Sequence, residues 1–453
     1  MANSRKPSSN DLQGAVAAAL APAVTPGAHL ALGLSGGIDS VALLSILLEL
    51  APALRFSLRA VHVNHGISPN AARWAEFCAG ICRDLRVPFQ LEAVDIAPYR
   101  TFGIEGAARR ARYEALAQIE ADFVVLAHHR DDQAETLLLQ LLRGAGLRGL
   151  AGMPPLRALP GTRAQLLRPF LDVPRAAIEA YAHAKGLAWV EDESNADTAR
   201  QRNFLRHEVL PLLERQFPAA RATIARAAAH VAEAGVLLDE MARTDFERTG
   251  GAAIEISFLR ELGTAHAKNL LRYVCDARGI RAPGAALLDE LLRQLLEARR
   301  DAAVGFTMSG WDFRRYRGKL YLEPHRAAVE AELREAWSGE NALPLLGLGG
   351  VLSFRPEEGR GLSLPKLRSK PVTVRLRRGG ERLRPDCGRP RRSLKNLFQE
   401  KRVPPWQRDR LPLLYCGENL VSVPEVGYEC EFQAAPGEPG LIVVWELLDQ
   451  RGF

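Results

Sequence analysis

Leu30-Ala-Leu-Gly-Leu-Ser-Gly-Gly-Ile-Asp-Ser-Val-Ala-Leu-Leu44 decides how this chain folds. Its apolar start reads as a buried β-strand, and Val41 to about Leu50 reads as a helix. Between them lie Ser35, Gly36, Gly37, Ile38, Asp39 and Ser40. A strand, a glycine turn and a helix together present free backbone N–H groups to an anion. Gly36 and Gly37 permit a tight turn and the close approach of a phosphate. Ser35 and Ser40 add hydroxyl donors, and Asp39 adds a carboxylate. A carboxylate inside a phosphate cradle suggests a metal bound by both. The turn has no lysine, so it is not the Gly-x-x-x-x-Gly-Lys-Ser/Thr loop, and it is not Gly-x-Gly-x-x-Gly either. A plain glycine turn is the competing reading, and the flanking sequence weighs against it.

Working outward, strands are expected at His29–Leu34, Leu58–Asn64, Phe89–Val94 and Phe123–Ala127, with helices at 41–50, 70–86 and 105–120. This alternation predicts an α/β fold with an N-terminal parallel, Rossmann-like sheet covered on both faces. Such sheets bind ligands beyond the carboxyl ends of their strands. Ser35–Ser40, Val63-Asn64-His65-Gly66 and His128-His129 all follow strand ends. Alanine-rich stretches at 219–245, 267–277 and 285–299 predict a mainly helical middle domain. Residues 337–371, rich in Gly, Leu and Pro, read as irregular or short-stranded linkage. Short β-type runs from 372 to 445 predict a small α+β C-terminal domain. The expected domains are 25–216, 217–336 and 366–446.

The chain has 453 residues, ample for several domains, with 47% hydrophobic and 25% charged residues. No apolar run approaches the roughly 20 residues a membrane span needs. Residues 1–10 are polar, without the apolar core of a secretion signal, so a cytoplasmic protein is expected. Cys78, Cys82, Cys275, Cys387, Cys416 and Cys430 include no Cys-x-x-Cys pair and read as small buried residues in a reducing compartment. Net charge is +7. Residues 366–410 hold 16 Lys plus Arg against 4 Asp plus Glu, a local +12 that leaves −5 elsewhere. Arginine outnumbers lysine 52 to 8 throughout, so the local excess over acids, not arginine content, marks a polyanion partner.

Three more constellations carry chemistry. In Ala127-His128-His129-Arg130-Asp131-Asp132-Gln133-Ala134-Glu135-Thr136, a helix sets His128 and Asp132 four apart and Asp132 and Glu135 three apart. Two carboxylates beside a phosphate cradle can hold a magnesium ion or an ammonium group. The plainer alternative is an acidic first turn favoured by the helix dipole. In Gly103 to Tyr113, Arg109 and Arg112 share a helix face and can clamp phosphates or stack on a base. Glu191-Asp192-Glu193-Ser194-Asn195 is followed by Arg202 and Arg206, four apart and able to reach one anion. For both arginine pairs a charged helix surface is the plainer reading. Trp406 reads first as a core residue and second as a base-stacking one.

Ser-Gly-Gly-x-Asp-Ser resembles the signature of the PP-loop ATP pyrophosphatases. With Val61–Gly66, Glu105–Tyr113, His128–Glu135, Leu141–Gly146, Gly149–Met153, Arg168-Pro169-Phe170-Leu171, Trp189–Asp192, Arg202–Arg206 and Leu210–Leu213 in order, the chain resembles the bacterial tRNA(Ile)-lysidine synthetases. The close match spans about residues 30 to 215. Arg378–Arg382, Leu394-Lys395 and Lys401–Arg408 resemble that family's last domain. The tRNA 2-thiolation enzymes and the NAD and GMP synthetases share the loop. The cluster-bearing thiolation enzymes need Cys-x-x-Cys pairs, and the synthetases lack His128–Glu135 and a basic C-terminal module. A non-catalytic RNA-binding protein is a further alternative, against which intact Asp39, Asp132 and Arg202 argue.

The resemblance implies an enzyme that uses ATP and Mg2+ to join L-lysine to C2 of the wobble cytidine in a tRNA(Ile) with a CAU anticodon. An adenylated cytidine is the intermediate, and codon reading changes from AUG to AUA. It implies that Ser35, Gly36, Gly37, Ile38, Asp39 and Ser40 bind the nucleotide, with Asp39 on magnesium. Asp132 and Glu135 would hold lysine with His128 nearby. Arg112 or Arg109 would face the cytosine carbonyl, and Arg202 or Arg206 the α-phosphate. Asp39, Arg112, Asp132 and Arg202 are the expected catalytic residues, and residues 366–410 would grip the tRNA.

Overall fold

A computed structural model describes residues 9–251, 253–280, 283–298, 305–326 and 333–448. The polar start, residues 1–8, lies outside them. The chain divides into two compact units, Met1–Arg243 and Thr244–Phe453.

In the first unit the sheet order is β3-β2-β1-β4-β6-β5. The strands are β1 (His29–Gly33), β2 (Ser57–Asn64), β3 (Phe89–Ala93), β4 (Phe123–Val125), β5 (Leu156–Ala158) and β6 (Gln165–Leu167). Neighbours pair in parallel except β5, which runs antiparallel to β6. The sequence reading found β1 to β4 and the helices between them. It missed β5 and β6, whose three residues each are too few to show a period. The chain runs outward from β1 through β2 to β3, then returns to β4 on the other side of β1. That reversal opens a crevice between the carboxyl ends of β1 and β4.

Strand alternation decides what faces each side. Leu30, Leu32, Phe123, Val125 and Leu167 pack with α1 (Ser9–Leu20), α2 (Ile38–Leu54), α3 (Ala71–Asp84) and a later helix, Arg175–Ala184. Their neighbours Ala31, Val61, Val124 and Leu166 face the other way, onto Leu116 and Tyr113 of α4 (Gly103–Ala117). Cys78 and Cys82 are free, buried members of the first core, as expected. The remaining helices of this unit are α5 (Arg130–Leu142), α6 (Leu147–Leu150), α7 (Arg175–Ala184), α8 (Gln201–Phe204) and α9 (Leu210–Gln216). A π-helical turn, Leu205–Val209, joins α8 to α9, and α10 (Ala220–Arg248) follows.

The expected helices at 267–277 and 285–299 appear in the second unit as α12 (Thr264–Ala277) and α13 (Ala285–Glu297), and a helix that was not expected, α11 (Ile256–Leu262), precedes them. It adds a sheet that the helical reading missed, β7-β10-β9-β8: β7 (Ile254–Glu255), β8 (Gly305–Met308), β9 (Trp311–Tyr316) and β10 (Lys319–Pro324). The β9–β10 turn is Arg317-Gly318, with φ of 49° and 79°. Two positive φ values fit the twist of a two-residue hairpin. An arginine in place of Asn or Asp hid that turn.

Residues 337–371 are not linkage. They hold β12 (Ala342–Leu345), β13 (Gly350–Glu358), β14 (Leu362–Ser363) and α14 (Leu364–Leu367). After β11 (Arg334–Trp337), β15 (Val372–Arg375), β16 (Arg382–Leu383), β17 (Arg392–Ser393), α15 (Leu394–Glu400), α16 (Pro405–Arg408), β18 (Leu413–Cys416), β19 (Asn419–Val423) and β20 (Gly427–Tyr428), the closing β21 (Pro439–Leu447) pairs with β13 along all nine residues. Cutting the chain before Lys366 would strip β13 of that partner.

Two more expectations change here. Cys387 and Cys430 form a disulfide, so only four of the six cysteines are free and buried. The +12 of residues 366–410 is partly neutralised within the fold. Acids outside the block take three of its arginines: Arg375 pairs with Glu418, Arg384 with Glu431 and Arg391 with Glu429. Trp406 is half-buried and packs edge-on against Tyr316 and Tyr321 with Arg314 over its ring.

Candidate active site

The phosphate loop leaves β1 and enters α2. Gly36 has φ +87°, and a Cβ there would meet the Val190 and Cys78 side chains at 2.8 and 3.1 Å. Only glycine fits that position. Gly37 differs from expectation: its φ of −72° suits any residue, and a Cβ would stand in ordinary contact with Ser35 Oγ. Ser35 Oγ accepts from Gly37 N at 3.3 Å and lies 3.1 Å from Ser40 Oγ, and Ser40 Oγ donates to Gly37 O at 2.9 Å. These bonds hold the turn while the first N–H groups of α2, from Ile38, Asp39 and Ser40, have no intrahelical partner. Val190 N donates to Gly36 O at 3.0 Å, tying the segment before Glu191 onto the loop.

Asp39 sits in the first turn of α2, its Oδ2 3.8 Å from His129 Nε2. Its Oδ1 is buried without a hydrogen-bond partner among the described residues. Burial raises its carboxyl above the usual range, against the lowering pull of His129 and Arg175. An orphaned carboxylate oxygen beside a phosphate loop suits a divalent cation. Among the described residues no three His, Cys, Asp or Glu side chains converge as a metal site. Other oxygens would have to come from a bound phosphate.

The second motif departs from its expected geometry. Helix α5 begins at Arg130, so His128 precedes it and is not stacked one turn from Asp132. The strand's alternation continues instead. His129 falls on the side of the phosphate loop, 2% exposed, with Nε2 3.5 Å from Asp132 Oδ2. His128 falls on the α4 side, where Asp132, Arg168, Arg202 and Arg109 surround it. The sequence places both histidines at a strand end but gives the lysine-side role to His128 alone; the period of two, carried past Val125, is the signal for His129. Asp132 sits in the first turn of α5 and accepts the His129 backbone N–H at 3.0 Å.

Asp132 and Glu135 meet both arginines of the fourth motif. Arg202 Nε donates to Glu135 Oε2 at 2.7 Å and its Nη2 to Asp132 Oδ1 at 2.9 Å. Arg206 Nε donates to Glu135 Oε1 at 2.6 Å, and its Nη2 reaches Asp132 Oδ1 at 3.1 Å and Glu135 Oε2 at 3.0 Å. Glu135 is fully buried. Burial would raise the Asp132 carboxyl, but His129, Arg202 and His128 hold it far below the usual range. Two guanidiniums and two carboxylates thus neutralise one another beside the phosphate loop. Buried Asn203 aims this pair: its Nδ2 donates to Ser194 O at 2.8 Å and Asp197 O at 2.9 Å. Glu191 to Asn195 therefore act as a brace, and Glu193 is occupied by Asn70.

Of the α4 arginines, Arg109 leans on Tyr113 while Arg112 Nε points to His65 Nε2 at 3.4 Å. Arg112 has no carboxylate partner among the described residues. It stands in a recess, open at its surface yet desolvated enough to pull its pKa down.

Burial lowers His128 to about 3 and His65 to about 4 from 6.5. A histidine kept neutral in the fold binds its proton more readily when unfolded. Stability is therefore present above pH 6.5 and is lost as pH falls toward 3 to 4, at up to about 1.4 kcal/mol per pH unit for each group. Denaturant midpoints measured from pH 7 to 5 should fall, and His128→Gln should flatten the slope. An unchanged slope in that variant would show that His128 is not held neutral.

Residues 9–213 match the family described as PP-loop domain, 255–321 the TilS substrate binding domain, and 372–445 the TilS substrate C-terminal domain. The chain is 43% identical over 447 residues to a tRNA(Ile)-lysidine synthase of Nitrosomonas europaea, covering 98% of each protein. It is 42% identical over 430 residues to one from Azoarcus sp., covering 94% of this chain and 93% of that protein. It is 39% identical over 419 residues to one from Coxiella burnetii, covering 92% of each. Among the described residues no helix is long and apolar enough to cross a membrane.

Proposed function

The chain belongs to the tRNA(Ile)-lysidine synthase family, and from that premise we propose that it joins L-lysine to C2 of the wobble cytidine, position 34, of the CAU anticodon of tRNA(Ile), converting ATP to AMP and pyrophosphate. One observation carries the reading. A buried acid pair, Asp132 and Glu135, lies beside a phosphate loop and is held by two arginines that an incoming phosphate can attract.

The cytosine carbonyl oxygen is a poor leaving group, and an adenylate ester makes it a good one. In the first step that oxygen attacks the α-phosphorus of ATP and pyrophosphate departs. Ser35, Ser40 and the first N–H groups of α2 receive the phosphates. Arg112 orients the cytosine carbonyl, and Arg202 stabilises charge gathering at the α-phosphate. Asp39 would hold magnesium, which supplies charge neutralisation to the phosphates when bound. In the second step the lysine ε-amine attacks C2 and AMP leaves. Once an arginine turns to the phosphate, Asp132 and Glu135 are free to hold the arriving ammonium. His129 stands nearby to take its proton.

Pyrophosphate release should require this tRNA, and AMP-forming turnover should require lysine. Turnover indifferent to lysine would overturn the reading.

The basic C-terminal region would position the tRNA through its backbone. Lys395, Lys401 and Arg402 are exposed and have no carboxylate partner among the described residues. Replacing all three by Ala should lower the slope of log affinity for tRNA against log salt by about 2. The fold should be unaffected. An unchanged slope would remove this surface from the tRNA path.

A further inference from the structure

Arg168-Pro169-Phe170-Leu171, singled out in the sequence, has no part in the chemistry above. Arg168 follows β6 and lies on the α4 side, like Leu166. Only 2% of it is exposed. Its Nη1 donates to Pro154 O at 2.6 Å, its Nη2 reaches Tyr113 Oη at 3.5 Å, and its Nε is buried without a partner. Arg157 of β5 is the cross-strand neighbour of Leu166, so it lies on the same face. Its guanidinium sits 5.0 Å from the centre of the Tyr113 ring. Arg109 sits 5.1 Å from that centre and its Nη2 reaches the hydroxyl at 3.4 Å.

Three guanidiniums thus border one tyrosine, and among the described residues none of them has a carboxylate partner. Burial would raise the phenol's pKa, yet Arg109, Arg168 and Arg157 bring it below the usual value. Like charges gathered in partly desolvated surroundings repel one another, and a buried arginine ordinarily has an anion. The forked donors suit a phosphate group. Two sources can supply one, a nucleotide or an RNA backbone. The phosphate loop feeds α2 on one face of the sheet, whereas this cluster stands on the opposite, α4 face. That separation favours RNA.

We propose that Arg109, Arg157 and Arg168, gathered on Tyr113, form a subsite for one backbone phosphodiester of the tRNA anticodon loop next to the modified nucleotide. The proposal rests on the reading that the anticodon enters this cleft.

The test uses the full chain and anticodon stem-loop RNAs that carry a single uncharged methylphosphonate at each loop phosphate in turn. Arg157→Gln is expected to weaken RNA binding roughly 3- to 10-fold and to lower the salt slope by about 0.7 to 0.9, with ATP affinity unchanged. One methylphosphonate position should reproduce that loss in the wild type and add nothing in the variant. Arg109→Gln, at the exposed side of the ring, gives the same readout should the first variant fail to fold. Weakened ATP binding with unchanged RNA binding would assign the cluster to the nucleotide and overturn the proposal. Unchanged affinity for both would make the cluster purely structural and also overturn it. If RNA binding depends on Arg157 but the wild type makes no lysidine, the subsite stands and the reaction falls. If lysidine forms and Arg157 is indifferent, the reverse holds.

Discussion

Asp39→Asn is expected to lower AMP-forming turnover at least about 100-fold while tRNA affinity stays within about twofold of the wild type. The substitution keeps the shape and removes the negative charge. Asp39 is the carboxylate in the first turn after the phosphate loop, and its Oδ1 has no protein hydrogen bond. Little in the fold depends on that oxygen, so the loss should fall on chemistry rather than on stability. Pyrophosphate release with tRNA present measures the first step alone, and a filter-binding titration measures the tRNA. A near-normal rate of pyrophosphate release would refute a role for Asp39 beside the phosphates.

Glu135→Gln is expected to cost both stability and function. Glu135 is fully buried and accepts from Arg202 and from both donors of Arg206. An amide removes one charge and turns an N–H toward the guanidiniums. That leaves two buried cations against Asp132 alone. Breaking a buried ion pair on one side costs about 3 to 5 kcal/mol. Urea unfolding of the variant should show a loss of that size, and lysine-dependent turnover of the folded fraction should fall at least about 100-fold. Asp132→Asn is a useful comparison. Its single amide oxygen can accept from the His129 backbone N–H or from the guanidiniums, not from both. A Glu135→Gln protein as stable as the wild type would mean that Glu135 does not hold the arginines.

The sheet was legible because β1 to β3 are each five residues or longer with apolar or alternating residues, and because glycines mark the loop after β1. β5 and β6 were not legible, since three residues carry no period, and with them went the placement of Arg157 and Arg168. The grouping of Asp132 and Glu135 followed from helical spacing. Their capture by Arg202 and Arg206 did not, because that contact joins residues about 70 positions apart. His128 was misplaced by extending α5 two residues too far, which concealed His129 as the imidazole between Asp39 and Asp132. In the C-terminal region a charge count could not show which arginines the fold itself neutralises. The exposed Lys395, Lys401 and Arg402, without a carboxylate partner among the described residues, emerge only once Arg375, Arg384 and Arg391 find their acids.

In the proposed reaction one cleft spends ATP to place lysine on a cytidine. The most direct test is mass analysis of nucleosides from a tRNA(Ile) transcript with a CAU anticodon, incubated with the protein, ATP and L-lysine. One cytidine per transcript is expected to be heavier by lysine less water, located at position 34 and absent when either ATP or lysine is omitted. An unmodified cytidine, or a product formed without lysine, would contradict it.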